Sequence, residues 1–102
     1  MTRAPELEKA IEDRCCAKIE ARGGLCLKLV LLGIMGWFDR TILLPNRVIF
    51  FCEFKRRKLG KVSVQQATWR RIVTLLGFGV YTIDTDEQFE IALARELSRG
   101  LT

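Results

Sequence analysis

Residues 36–55, GWFDRTILLPNRVIFFCEFK, decide the fold because they contain two apolar runs with a turn between them. The runs, Thr41–Leu44 and Arg47–Phe54, are rich in β-branched, aromatic and leucine residues, and both favour β-strands. Pro45 and Asn46 separate them, and both residues are typical of tight turns. The stretch therefore predicts a β-hairpin with antiparallel strands.

Two carboxylates and an ammonium fall at one end of the predicted hairpin. Asp39 lies at the start of the first strand and Glu53 near the end of the second, and an antiparallel hairpin brings those two ends together. Glu53 and Lys55 are two residues apart, so both side chains leave the same face of the sheet. The three charged groups are thus predicted to converge.

The acidic residues of the hairpin are isolated in a basic sequence. Between Ala21 and Ile83, Asp39 and Glu53 are the only acidic residues, whereas eleven basic residues occupy the same span. An acid pair in a basic field is typical of a metal-binding point within a surface that binds a polyanion. The alternative is structural: Glu53 and Lys55 form an ion pair at the strand end, and Asp39 caps a turn.

Composition limits the classes of function. The 102 residues suit one domain, and 49% hydrophobic residues are enough for a core. The net charge of +5 favours a polyanionic partner. The sequence has no histidine, which excludes Ser-His-Asp and Cys-His catalysis and an ordinary zinc site. Any metal would be held by oxygen ligands, which select Mg²⁺, Mn²⁺ or Ca²⁺.

The cysteines and the N-terminal region bear on the cellular compartment. Four cysteines form no CxxC pair: Cys15, Cys16, Cys26 and Cys52. We expect free thiols in a reducing compartment, not disulfides or zinc ligands. The first residues are charged throughout and unlike a signal peptide, and the most apolar run, Leu25–Phe38, is too short to span a membrane. These features predict a cytoplasmic protein with no membrane partner.

The rest of the sequence predicts three helices and two further strands. The helices are Pro5–Arg22, Ser63–Leu76 and Asp86–Leu97, and the strands are Leu25–Leu32, covered on both faces, and Phe78–Ile83. In the second helix the predicted buried residues are Trp69, Ile72, Val73 and Leu76. The first three strands should pair antiparallel and the fourth return parallel. The predicted fold is α/β: one domain, residues 1–102, with a single mixed β-sheet flanked by helices.

The order of these motifs resembles the PD-(D/E)XK nuclease superfamily, and more closely the small stand-alone VRR-NUC domains of phages and bacteria. The motifs are Gly23–Lys28, Asp39-Arg40, Phe51–Lys55 and Gly60–Gln66, followed by Gly77-Phe78. Each is weak alone, and their order and spacing are specific. The resemblance covers nearly the whole chain and implies a restriction-endonuclease-like αβββαβ core. One departure is Phe38, where the family usually has Pro; it affects the local turn and leaves the chemical groups in place.

The resemblance implies a metal site. The family's metal ligands fall on Asp39 and Glu53, and the backbone carbonyl of Phe54 completes the set. The family's first-helix acid, which binds the metal directly or through water, falls on Glu12. The implied metal is Mg²⁺ or Mn²⁺, which activates water and neutralises charge on a phosphodiester.

The resemblance also implies the remaining catalytic residues and the DNA contacts. The catalytic lysine falls on Lys55, which acts as the base or positions the attacking water. The glutamine that opens the second helix falls on Gln66, and Gln65 is its rejected neighbour. The predicted contacts to nucleic acid are Lys28, Arg40, Arg56, Arg57, Lys58, Lys61, Arg70 and Arg71.

The implied function is a metal-dependent, structure-selective DNA endonuclease that acts on branched DNA such as Holliday junctions or flaps. One alternative is a catalytically silent nucleic-acid-binding module on the same fold, and another is a basic structural protein with an acidic partner. Trp37, Phe38, Phe50 and the apolar last strand and helix predict excess hydrophobic surface, and hence a homodimer.

Overall fold

The computed structural model describes residues 5–55 and 63–99, with side chains from residue 8 onward. Its elements are α1 Pro5–Ala21, β1 Leu25–Leu27, β2 Arg40–Leu44, β3 Val48–Phe54, α2 Val64–Leu75, β4 Gly79–Ile83 and α3 Asp86–Arg99. The strands form one sheet in the order β1-β2-β3-β4, antiparallel except for the parallel pair β3–β4. The predicted α/β class and mixed sheet are confirmed. Four predicted DNA contacts lie outside the described residues: Arg56, Arg57, Lys58 and Lys61.

Apolar residues pack on both faces of the sheet. On one face, Phe50, Cys52 and Phe54 of β3 belong to the core that includes α1 and α3. On the other face, Phe51 packs in a smaller cluster with Val73 of α2. The alternation follows from the two-residue period of a strand. Helices therefore cover both faces, as the sequence predicts.

β1 is shorter than the predicted strand Leu25–Leu32. It ends at the pair Leu27–Thr41, because its partner β2 has only one residue before that position. Residues 28–36 leave the sheet as a loop, in which Leu32 is 99% exposed. The expectation of a long strand covered on both faces is wrong because the neighbouring strand is too short to pair with it.

The hairpin turn is longer than the predicted Pro45-Asn46 turn. Leu44 pairs with Val48, so the turn also includes Arg47. Asn46 and Arg47 have φ values of 67° and 65°. Asparagine adopts this left-handed conformation more readily than most residues. β3 therefore begins one residue later than predicted.

α2 begins directly after its cap, Ser63, the first residue of the predicted helix. The Ser63 hydroxyl accepts a hydrogen bond from the Gln66 N–H at 3.1 Å, and the Gln66 side chain accepts one from the Ser63 N–H at 3.2 Å. This is a capping box.

The predicted buried face of α2 is only partly right: Val73 is buried, whereas Ile72 and Leu76 are 41% and 70% exposed. The residues of α2 that face the sheet are 66, 69, 70 and 73. The apolar pattern did not identify this face because residues 66 and 70 are polar.

The cysteines differ from expectation. Cys16 of α1 and Cys26 of β1 form a disulfide, with their Cα atoms 5.3 Å apart. The prediction of four free thiols is wrong for this pair because α1 packs against β1 and brings the two side chains together. Cys15 and Cys52 are free and buried, as predicted. Among the described helices, none is long and apolar enough to cross a membrane.

Candidate active site at one end of the sheet

The register of the hairpin brings Asp39 and Glu53 to the same end of the sheet. Arg40 at the start of β2 pairs with Cys52 of β3. Asp39 directly precedes that pair and Glu53 directly follows it. The Asp39 Oδ2 atom accepts a hydrogen bond from the Phe54 N–H at 2.8 Å. The two residues therefore lie at one end of the sheet, and the Asp39 side chain is hydrogen-bonded to the backbone of the residue that follows Glu53.

Glu53 is a fully buried carboxylate with one engaged oxygen. Its side chain is 0% exposed, and its Oε2 atom accepts a hydrogen bond from Nη2 of Arg70 at 2.9 Å. The same Nη2 atom donates to the Thr82 hydroxyl at 2.6 Å. Within the described residues, the buried Glu53 Oε1 atom has no hydrogen-bond partner. A buried acceptor without a partner is costly, so this oxygen marks a place for a further group.

The N-terminus of α2 holds Lys55. Its Nζ atom donates to Oε1 of Gln66 at 2.7 Å, the same oxygen that accepts from the N–H of Ser63. The capping box therefore fixes the side chain that orients the ammonium. Since Glu53 also contacts α2, through Arg70, both residues leave the α2 face of the sheet, as their spacing predicts.

Burial has the largest effect on the pKa of the half-buried Asp39 carboxyl. Loss of solvent raises the pKa of this carboxyl, and the negative charge of Glu12 acts in the same direction. The hydrogen bond from Phe54 and the charges of Lys55 and Lys28 oppose the rise without cancelling it. A cation bound beside Asp39 would favour the carboxylate form.

Glu12 lies beside this site but is paired with Arg40. The guanidinium Nε donates to a Glu12 oxygen at 2.5 Å, and its Nη1 donates to the Cys26 carbonyl at 3.0 Å. Both side chains are largely buried, at 13% exposure for Glu12 and 16% for Arg40. Glu12 is still close enough to Asp39 to raise its pKa. The structure thus places Glu12 near Asp39 and pairs Arg40 with Glu12.

The described residues include no group of three or more Cys, Asp, Glu or His side chains arranged to hold a metal. The predicted ligands are the carboxylates of Asp39 and Glu53 and the Phe54 carbonyl, with Glu12 binding directly or through water. Oxygen donors of this kind suit a hard cation such as Mg²⁺ or Mn²⁺. The unpartnered, buried Oε1 atom of Glu53 is the observation that fits a cation here.

The predicted DNA contacts fall into two groups in the described part of the chain. Lys28 and Arg71 are exposed. Arg40 and Arg70 instead form ion pairs with Glu12 and Glu53. Sequence reasoning missed both pairs. The available signal for Arg70 was its position four residues after Gln66, on the same helical face.

A single mixed sheet, helices on both faces and acidic residues at one sheet end define an α/β restriction-endonuclease-like fold. A solved structure described as a VRR_NUC domain is similar to this chain, with a TM-score of 0.75 and 26% sequence identity. The match covers 85% of this chain and 94% of the other. It confirms the resemblance read from the sequence and supports a VRR-NUC domain. No protein-family model and no curated protein matches this sequence.

Proposed function

We propose that this protein is a Mg²⁺- or Mn²⁺-dependent DNA endonuclease that hydrolyses phosphodiester bonds, with branched DNA such as Holliday junctions or flaps as its preferred substrate. The observation that carries the proposal is the Oε1 atom of buried Glu53, which has no hydrogen-bond partner among the described residues and lies at the sheet end where Asp39 and Lys55 also lie. A bound cation would give this oxygen the partner that the ion pair with Arg70 does not supply. Similarity to a VRR_NUC domain structure supports the nuclease class.

Asp39 and Glu53 would hold the metal, together with the Phe54 carbonyl. A bound divalent cation supplies two things to phosphodiester hydrolysis: a more acidic water and neutralisation of phosphate charge. The hydrogen bond from the Phe54 N–H fixes one oxygen of Asp39, so its direction is set before a ligand arrives. Burial of Glu53 excludes water from that carboxylate and strengthens its attraction for a cation. Glu12 acts from beyond the ligand pair, through water or through Arg40.

Lys55 would act on the attacking water. Gln66 accepts a hydrogen bond from its ammonium and thereby fixes the direction of Nζ. From there the ammonium orients the water and contacts the scissile phosphate, or, after losing a proton, acts as the general base. Both roles require the same geometry, and α2 supplies it through the capping box at Ser63.

Basic side chains would bind DNA through its phosphate backbone. Exposed Lys28 and Arg71 lie in the basic span of the sequence, as do four basic residues between 56 and 61. Contacts of this type position DNA without reading its bases. We therefore expect binding that depends steeply on salt and on DNA shape more than on sequence. A marked preference for one linear sequence over branched DNA of mixed sequence would contradict this selectivity.

A homodimer would place two such sites on one junction. The residues predicted to form the interface are wrong in part, because Phe38 and Phe50 are 3% and 0% exposed. Other apolar residues support a partner surface, namely Val64, Ile72, Leu75, Leu76 and Phe78, which are 81%, 41%, 76%, 70% and 39% exposed. Exposed apolar side chains grouped on one helix and the segment after it favour association. Light scattering at micromolar concentration should give the mass of a dimer, and a monomer mass would contradict it.

Cleavage assays separate this function from a silent binding module on the same fold. Labelled four-way junctions, flaps and linear duplexes of matched sequence are incubated with the protein and Mg²⁺, Mn²⁺ or a chelator. The endonuclease should cut branched DNA in either metal and nothing in the chelator. A silent module would bind the junction equally well and cut none of the substrates under any condition.

A further inference from the structure

Arg70 of α2 contacts the site through one guanidinium nitrogen. Its Nη2 atom donates to Oε2 of Glu53 at 2.9 Å and to the Thr82 hydroxyl at 2.6 Å. The Arg70 side chain is 33% exposed, whereas Glu53 is completely buried. The Arg70 side chain therefore extends from α2 to the sheet, where its guanidinium is also held by the hydrogen bond to Thr82 of β4.

The two oxygens of Glu53 have different surroundings. Oε2 accepts from Arg70, whereas Oε1 is buried and has no hydrogen-bond partner within the described residues. Arginine commonly binds carboxylates through two parallel hydrogen bonds. In the described part of the chain this second bond is absent, and the Arg70 Nε atom is likewise buried without a partner. The arrangement engages one oxygen of the carboxylate and leaves the other available.

We propose that Arg70 is a positioning residue: by holding Oε2 of Glu53, it directs Oε1 toward the divalent metal. The inference rests on the proposed metal-dependent function and adds a role for a residue that the sequence assigned to DNA. Second-sphere partners of this kind orient metal ligands and commonly set metal affinity. Thr82 contributes because its hydroxyl accepts a hydrogen bond from the Arg70 guanidinium and so holds it against the Glu53 carboxylate.

One face of α2 contacts both Glu53 of β3 and Lys55, the residue that follows the strand. Gln66 contacts Lys55, and Arg70, one helical turn later, contacts Glu53. The two spacings match, since residues four apart on a helix lie on one side and residues two apart on a strand lie on one face. α2 is itself held at this position: the Trp69 indole N–H donates to the Met35 carbonyl at 2.8 Å. A rigid helix thus sets the orientation of both side chains.

The test measures Mn²⁺ binding to the whole protein without DNA, by titration with detection of free Mn²⁺ in electron paramagnetic resonance. Arg70→Ala should raise the Kd for Mn²⁺ about 10–100-fold, the range found when second-sphere partners are removed. Arg70→Lys should lie between the wild type and Arg70→Ala, because lysine keeps the charge without the planar fork. Arg71→Ala is the matched control, since it removes the same charge from the next residue of α2, and its Kd should equal that of the wild type.

Two milder variants, both at Thr82, test the role of Arg70 if Arg70→Ala folds poorly. Thr82→Val removes only the hydrogen bond to Arg70 and should weaken Mn²⁺ binding less than Arg70→Ala, and Thr82→Ser should restore it. Tighter Mn²⁺ binding in Arg70→Ala would overturn the proposal, because it would mean that Arg70 competes with the metal. An unchanged Kd with weaker metal-free binding of DNA would also overturn it, in favour of a DNA contact.

The proposed function and this inference fail differently. If the wild type binds no Mn²⁺, or Asp39→Asn binds it equally well, the metal site itself is misplaced and both proposals fall. If Asp39→Asn abolishes binding and Arg70→Ala matches the wild type, the metal site stands and only the role of Arg70 is refuted.

Discussion

Replacing Asp39 by Asn separates two contributions that this carboxylate makes to stability. Without metal, burial raises the pKa of Asp39. A raised pKa means that the folded protein holds the proton more tightly than the unfolded chain. Stability is therefore lost as pH rises above the ordinary pKa of aspartate through the raised value in the folded state. Asn has no charge to bury and its side-chain oxygen still accepts from Phe54, so metal-free Asp39→Asn should be at least as stable as the wild type at neutral pH.

With metal, the order reverses. At a Mg²⁺ concentration of about 100 times the Kd, binding adds about 2.7 kcal/mol to the free energy of unfolding. For a domain of this size that gain is roughly 10–20 °C in Tm. Asp39 is one of the two proposed carboxylate ligands, so its loss should weaken binding about 100-fold or more. The gain in the variant then falls to about 0.4 kcal/mol, or roughly 2–3 °C.

The assay is thermal unfolding followed by circular dichroism, with and without Mg²⁺, at neutral pH and again near pH 4. Glu20→Gln is the control, because it removes an exposed carboxylate from α1. It should keep the full Mg²⁺-dependent rise in Tm. The metal-free difference between Asp39→Asn and the wild type should shrink at the lower pH, because the raised pKa of Asp39 favours its uncharged form there. An equal Mg²⁺-dependent rise in Asp39→Asn and the wild type would refute the ligand assignment.

Three further outcomes follow from the structure. Lys55→Ala should stop cleavage, weaken DNA binding slightly and leave the Kd for Mn²⁺ nearly unchanged, as measured by cleavage, binding and metal titration of one preparation. Gly36→Ala should lower the free energy of unfolding by roughly 1–3 kcal/mol in denaturant titration, because φ is 79° and the new Cβ would lie 2.6 Å from Cβ of Gln65 and 2.9 Å from the Gln66 backbone nitrogen. Burial and the hydrogen bond to Glu96 raise the pKa of Tyr81, the only tyrosine, to about 12, so the ultraviolet absorbance of tyrosinate should titrate there. Stability should fall between about pH 10 and 12 in the wild type, because the unfolded chain loses its tyrosine proton first, and the loss should be smaller in Tyr81→Phe.

Contacts within the hairpin could be predicted from the sequence. Antiparallel pairing and a period of two suffice to bring Asp39 to Glu53 and to put Glu53 and Lys55 on one face. The Ser63 cap and the opening glutamine, Gln66, were also predictable, because a capping box has a fixed spacing of three residues. These features depend only on local geometry, which neighbouring residues determine.

Contacts between helices and the sheet could not be predicted in the same way. The pairing of Arg70 with Glu53 depends on how α2 is rotated over the sheet, and two polar residues on its inner face hid that rotation. The pairing of Arg40 with Glu12 depends likewise on where α1 crosses β2. From the sequence, both arginines were therefore predicted to contact DNA, whereas in the structure Arg40 pairs with Glu12 and Arg70 with Glu53.

The exposed loop after β1 shows a different limit. Its apolar residues favoured a longer strand, but a strand continues only where a neighbour offers hydrogen bonds. β2 begins too late to pair with residues beyond Leu27. The apolar character of such a segment therefore carries no information about how far the sheet extends.

Single-turnover cleavage of a four-way junction tests the central claim most directly, with wild type, Glu53→Gln and the control Glu20→Gln compared in Mg²⁺ at equal occupancy of DNA. The wild type and Glu20→Gln should cut at the same rate, and Glu53→Gln should bind the junction without cutting it. Wild-type cleavage should disappear in a chelator and return on addition of Mn²⁺. Cleavage by Glu53→Gln at the wild-type rate would contradict the assignment of the active site to this end of the sheet.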